Sequence, residues 1–117
     1  MQVHEQGQIM NELTQLDNFA QKVFENAKNK GFWEEERNKS EQLMLVVSEL
    51  AEMQEALRSG NPQSTKIPDF LLIEEEAADV VIRMMDLCVG HNWRLSEAII
   101  AKYKYNVDRP HKHGKKF

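Results

Sequence analysis

The chain reads as an all-α protein, a four-helix bundle-like protomer that completes its core by oligomerisation. Three observations predict this. Its 117 residues include three Pro and five Gly, too few for the many turns of a small all-β domain. Apolar residues recur at spacings of three and four over long stretches, the signature of helices. With 41% hydrophobic and 29% charged residues, the composition is that of a globular chain with one core, so residues 1–117 form a single domain.

Taken in order, Ile9, Met10, Leu13, Leu16, Phe19, Ala20, Val23, Phe24 and Ala27 fall on one face of a first helix, stopped by Gly31. Its single apolar stripe places it on the outside. Asn38 with Glu41 three residues on is a capping box leading into a second helix from Leu43 to Arg58, ended by Gly60. Gly60-Asn61-Pro62-Gln63-Ser64-Thr65 is turn chemistry. Pro68-Asp69 opens a third helix through Val89, closed by Gly90. Ser96 caps a fourth, which runs to about Asp108 before Pro110 forbids continuation.

The second and third helices are apolar nearly all round, save for one acidic strip each. Four helices of this length supply too little surface to enclose them both, so partner copies are expected to complete the core.

The charge is uneven. A net −4 divides into +5 over residues 102–117, where six Lys/Arg face one Asp, and −9 over the rest. A basic tail at 110–117 beside an acidic body disfavours nucleic acid as a partner. No apolar run approaches the ~20 residues of a membrane span. The N-terminus shows no secretory pattern, and the single cysteine, Cys88, has no internal disulfide partner; together these point to the cytoplasm.

The acidic strips carry the chemistry. Glu49 and Glu52 stand three apart on the second helix, bordered by Leu45, Met53 and Ala56. Glu76 and Asp79 repeat the spacing on the third, flanked by Leu72 and Leu87. Two such pairs on antiparallel neighbours can converge. Four carboxylates in a partly desolvated groove repel one another unless neutralised, and an all-oxygen set selects a hard ion, Mg²⁺ or Mn²⁺. The competing reading is two solvated helix faces. Glu55, Glu74, Glu75 and Asp86 are weaker candidates, with Glu74 and Glu75 either solvated or cap-related. A di-iron centre is disfavoured, because it needs Glu-x-x-His on two helices, whereas positions 52 and 79 are Glu and Asp and the four histidines sit near ends or loops.

Lys102, Asn106 and Arg109 share a face of the fourth helix, and their chemistry suits a metal-bound phosphate. Phe32-Trp33 and Trp93 stand at helix junctions, where an aromatic anchors a loop or stacks on a base; of the two tryptophans, Trp33 is the preferred base reader because its junction leads into the helix bearing Glu49.

The run Val47-Ser48-Glu49-Leu50-Ala51-Glu52-Met53, followed by Glu75-Glu76-Ala77-Ala78-Asp79, resembles the MazG-like all-α nucleotide pyrophosphohydrolases, whose signature is Glu-Glu-x-x-Glu, a gap, then Glu-x-x-Asp. Here the gap is 23 residues, and the resemblance extends over residues 32–117, including the basic ending with Asn106 and Arg109. It implies a homodimer or dimer of dimers that uses Mg²⁺, with Mn²⁺ as a substitute, to cleave a (deoxy)nucleoside triphosphate to the monophosphate and pyrophosphate, in a nucleotide-pool house-cleaning role. It also implies Glu49, Glu52, Glu76 and Asp79 as catalytic metal ligands and Lys102 and Asn106 on the triphosphate. Ser48 stands where the family has its first glutamate, which leaves the metal count and the water-activating carboxylate open. The alternative function is a non-enzymatic helical interaction module whose acidic strips bind a basic partner.

Overall fold

In the computed structural model, which describes residues 3–115, four α-helices and no sheet make up the protomer. They are α1 (Val3–Asn29), α2 (Lys39–Arg58), α3 (Leu72–Gly90) and α4 (Leu95–Val107), followed by a 3₁₀ turn at His111–Gly114. The last two residues of the basic tail, Lys116 and Phe117, lie outside the described part. Among the described residues no helix is long and apolar enough to cross a membrane.

The helix ends show why the chain turns where it does. Asn38 caps α2 by accepting the Glu41 amide at 3.1 Å. Helices α1, α2 and α3 then close the same way. Gly31, Gly60 and Asn92 take positive φ, and the next residues, Phe32, Asn61 and Trp93, donate their amides back to Ala27, Ala56 and Cys88.

Three boundaries differ from the sequence reading. Helix α3 starts at Leu72, not at Pro68-Asp69, because the Phe70 carbonyl accepts the Ser64 amide and the Phe70 amide returns to Ile67, which spends Pro68 and Asp69 on a turn. Its closing residue is Asn92, not Gly90. Ser96 does not cap α4, which begins one residue earlier at Leu95 and buries Ser96 in its first turn.

Helices α2 and α3 form an antiparallel pair: Gln42 near the start of α2 meets His91 just past α3, Glu49 meets Arg83, and Asn61 beyond α2 accepts the Ile73 amide at the start of α3. The small core lies along this pair, where Val46, Leu87 and Cys88 are buried against Val80, Met84 and Leu95. Burial pushes the Cys88 thiol pKa up. The first helix lies against α3 and α4 through Ala20 and its half-buried neighbours Leu16, Val23 and Phe24.

One protomer leaves much of its apolar surface open. It exposes 9158 Å², where a folded monomer of 13.7 kDa ordinarily exposes about 6,600 Å². Its radius of gyration is 17.1 Å against about 13 Å for a compact chain of this length. Leu43, Val47, Leu50 and Leu57 form an exposed stripe on α2 beside the one that packs on α3.

Gly90 is needed for a side chain rather than for a turn. A Cβ at this helical position would overlap Cη2 and Cζ2 of Trp33, whose ring is held in place by Phe24, His91 and a hydrogen bond to Asp86. Gly90→Ala is expected to destabilise the fold by about 1–3 kcal/mol despite the better helix propensity of alanine. Urea unfolding followed by circular dichroism checks this, and equal or greater stability of the variant contradicts it.

Candidate metal centre and the groove around it

Glu76, Asp79, Arg83 and Asp86 follow one another at spacings of three and four, so one face of α3 presents acid, acid, base and acid in order. Glu49 projects from α2 onto this face. Ligand oxygens of Glu49, Glu76 and Asp79 lie within 4.8 Å of one another, and all three residues are half-buried. Arg83 Nε donates to Glu49 Oε1 at 2.8 Å, which fixes that carboxylate at the α2–α3 seam.

The neighbouring carboxylate, Glu75, is buried. Its Oε1 accepts from Ser64 Oγ, and Ser64 Oγ in turn accepts the amides of Lys66 at 3.2 Å and Ile67 at 3.0 Å. Glu75 thus ties the α2–α3 loop to α3 and is neither solvated nor a cap. Glu74 is the cap: its Oε1 accepts the Leu71 amide at 2.9 Å.

So many acids in one place alter their proton affinity. Glu76 is pushed up to about 7, first by burial, then by its hydrogen bond with Glu49, then by the charges of Asp79, Glu49 and Glu75. Asp79 is also raised, by burial and by the Glu49 and Glu75 charges, while Lys66 and Arg83 pull it back down. The raised proton affinity of Glu76 thus reflects the crowding of carboxylates at this seam.

The residues fit a hard divalent ion. Octahedral oxygen ligands of Mg²⁺ stand roughly 3–4 Å apart, so small side-chain rotations bring the three oxygens into place, and a set without nitrogen or sulfur suits Mg²⁺ or Mn²⁺.

Of the residues singled out in the sequence, the structure brings together Glu49, Glu76 and Asp79. Glu52, one turn further along α2, is exposed, and its charge is not among those acting on Glu76 or Asp79. Lys102 and Arg109 gather about the Tyr105 ring, with Lys102 Nζ 4.5 Å and Arg109 Cζ 5.6 Å from its centroid. Asn106 keeps Oδ1 buried without a hydrogen-bond partner. None of these three lines the groove beside the carboxylates. Trp33 serves as a clasp: its Nε1 donates to Asp86 Oδ1 at 2.8 Å and the Arg37 guanidinium lies over its ring.

That groove, about 800 Å³ in volume, runs between α1, the α1–α2 junction and the α2–α3 pair. Glu49 and Asp79 stand on one side. Phe19, Lys22, Val23, Asn26 and Lys30 line it from one face of α1, and Lys66 enters from the loop. The sequence reading missed these cations, although the i, i+3, i+4, i+7 and i+11 spacing of the α1 residues was there to be read. Lys66 carried no pattern signal, because the loop that aims it depends on Glu75.

Comparison of the chain with protein-family models, curated proteins and solved structures found no match. The functional reading therefore rests on the geometry and on the motif.

The raised carboxyl pKa of Glu76 has a thermodynamic sign. The folded state keeps a proton that the unfolded chain releases above about 4.5, so this contribution to stability is complete below 4.5 and is lost as pH rises through about 7. In chelated buffer the melting temperature is expected to fall between pH 5 and pH 8, and Glu76→Gln is expected to flatten that slope. Melts followed by circular dichroism at several pH values decide it; an equal slope in the variant refutes the assignment.

Proposed function

We propose that the chain is a MazG-like, Mg²⁺-dependent nucleoside triphosphate pyrophosphohydrolase, releasing the monophosphate and pyrophosphate. The observation that carries this reading is the convergence of Glu49, Glu76 and Asp79 from two helices, with Glu49 and Asp79 of the three lining a groove large enough for a nucleotide.

Glu49, Glu76 and Asp79 would hold the ion, which when bound supplies a Lewis acid and lowers the pKa of a coordinated water. The protein contributes position and proton handling. Arg83 fixes the Glu49 oxygen, and Glu75, locked by Ser64, keeps α3 in register with the loop. Glu76, whose proton affinity is raised by burial and by Glu49, would have to shed that proton to hold the ion, so metal binding and proton release would be coupled. The choice of the bond between the α and β phosphorus comes from the family resemblance. The base would rest on Phe19 and Phe32, both more than half exposed where they line the groove, in place of the engaged Trp33.

The resemblance implies triphosphate contacts by Lys102 and Asn106, and the shared spacing adds Arg109. They lie outside this groove, so such contacts would have to come from another copy of the chain. A second copy is expected on separate grounds. The surface excess of roughly 2,500 Å² matches what a stable homodimer hides, and the Leu43, Val47, Leu50 and Leu57 stripe gives it an apolar centre.

Two measurements test the reading. With Mg²⁺ and a panel of canonical and modified triphosphates, the products separated by ion exchange should be monophosphate and pyrophosphate. Glu76→Gln should lower turnover about 100-fold or more, whereas Glu52→Gln should retain at least about a tenth of it. Release of orthophosphate contradicts the bond assignment, and no turnover of any triphosphate favours an interaction module. In sedimentation equilibrium at micromolar concentration, the mass should be a multiple of 13.7 kDa; a folded species at 13.7 kDa rules out the oligomer.

A further inference from the structure

The positive and negative charges of the groove are kept apart. Two of its cations are already engaged, Arg83 with Glu49 and Arg37 with Asp86 at 3.6 Å. Among the described residues, Lys22, Lys30 and Lys66 pair with no carboxylate within 4.0 Å, although Glu49, Asp79 and Asp86 line the same space. The groove therefore carries three lysines, two from the C-terminal part of the first helical segment and one from the α2–α3 loop, in the same space as its acidic side chains, an anion-seeking wall beside a cation-seeking one.

The lysine wall is also built. Lys22 lies on the α1 face that carries Phe19, Val23 and Asn26 into the groove, and Lys30 follows on the residue just past α1, its amide still bonded to the Asn26 carbonyl. Lys66 is aimed by the loop through buried Ser64, whose Oγ accepts the Lys66 amide while donating to buried Glu75.

We propose that Lys22, Lys30 and Lys66 form the polyphosphate grip of this groove, receiving the phosphate oxygens of a metal-polyphosphate complex whose cation sits on Glu49, Glu76 and Asp79. The inference rests on the triphosphate reading above and locates the anion contacts on α1 and the α2–α3 loop of the same protomer, not on α4. A metal-bound polyphosphate matches both walls at once, since its cation faces the acids and its remaining negative charge faces the lysines.

The test separates metal binding, anion binding and turnover. Mn²⁺ binding to the protein alone is followed by electron paramagnetic resonance, and the Mn²⁺ complex of inorganic tripolyphosphate is titrated calorimetrically. Lys22→Met and Lys66→Met keep the aliphatic stems and should each weaken tripolyphosphate binding roughly tenfold, with Mn²⁺ affinity unchanged. Lys22→Arg and Lys66→Arg should restore most of the affinity, and Lys28→Met, on α1 but outside the groove, should leave it near wild type. Unchanged affinity in both groove variants overturns the proposal, as does an equal loss in Lys28→Met. A parallel loss of Mn²⁺ affinity also overturns it, by assigning the lysines to the shape of the carboxylate site. If the lysines bind tripolyphosphate but no triphosphate is hydrolysed, the grip stands and the hydrolase reading falls. Hydrolysis that proceeds unaffected in the methionine variants has the reverse meaning.

Discussion

Glu49, Glu76 and Asp79 meet at the seam between α2 and α3, and the rest of the protomer is arranged around keeping them there. Two carboxylates 4.8 Å apart repel by roughly 3–4 kcal/mol at an effective dielectric of 20, so the seam would open if it depended on those residues alone. Arg83 offsets part of the repulsion from within α3, the raised proton affinity of Glu76 relieves some of the rest, and the apolar contacts of Val46, Val80, Met84 and Leu87 hold the two helices close. Removing Arg83 or the apolar seam would scatter the acids. Removing the acids would leave a better-packed but chemically empty helix pair.

A second tie controls the other end of the groove. Trp33 reaches from the α1–α2 junction to Asp86 on α3, its ring lies where a glycine at position 90 admits it, and Arg37 covers it while pairing with Asp86. This clasp sets the distance between the junction and α3, and so the width of the space that Phe19, Phe32 and the carboxylates share. Trp33 therefore shapes the groove without being among its lining residues.

The helices were legible because their signals are local. The Asn38 cap and the glycines at positions 31 and 60 act through bonds within a few residues and bound their helices as the sequence reading expects, although of the capping box at Asn38 and Glu41 only the Asn38 half is found among the described residues. The misread boundaries involve partners far along the chain. Gly90 looked like a helix stop but makes room for a tryptophan 57 residues earlier, and Pro68 looked like a helix start but belongs to a turn organised by Ser64 and Glu75. The site divides along the same line. Spacing alone pairs Glu76 with Asp79 and puts Glu49 on an acidic strip, but it gives Glu52 equal weight, because whether a residue at i+3 faces a neighbour or solvent depends on how the second helix is rotated. Lys22, Lys30 and Lys66 come together only once α1 has been laid against α3.

The open apolar surface bears on the same chemistry. In a groove bounded by one protomer, water reaches the carboxylates freely, and exposed charges are screened within about 8 Å at physiological salt. Covering the Leu43, Val47, Leu50 and Leu57 stripe would exclude solvent from the outer side of α2, one face away from Glu49, and lower the dielectric in which the acids act. The effect on Glu76 would depend on what else the covering copy brings. An apolar neighbour alone would raise its proton affinity further, whereas a bound cation or an approaching base would bring it back down. Were copies to assemble through this stripe and a cation to bind the carboxylates, assembly, metal occupancy and the protonation of Glu76 would be one linked equilibrium, in which the apolar stripe on α2 and the acidic strip on α3 act on the same proton.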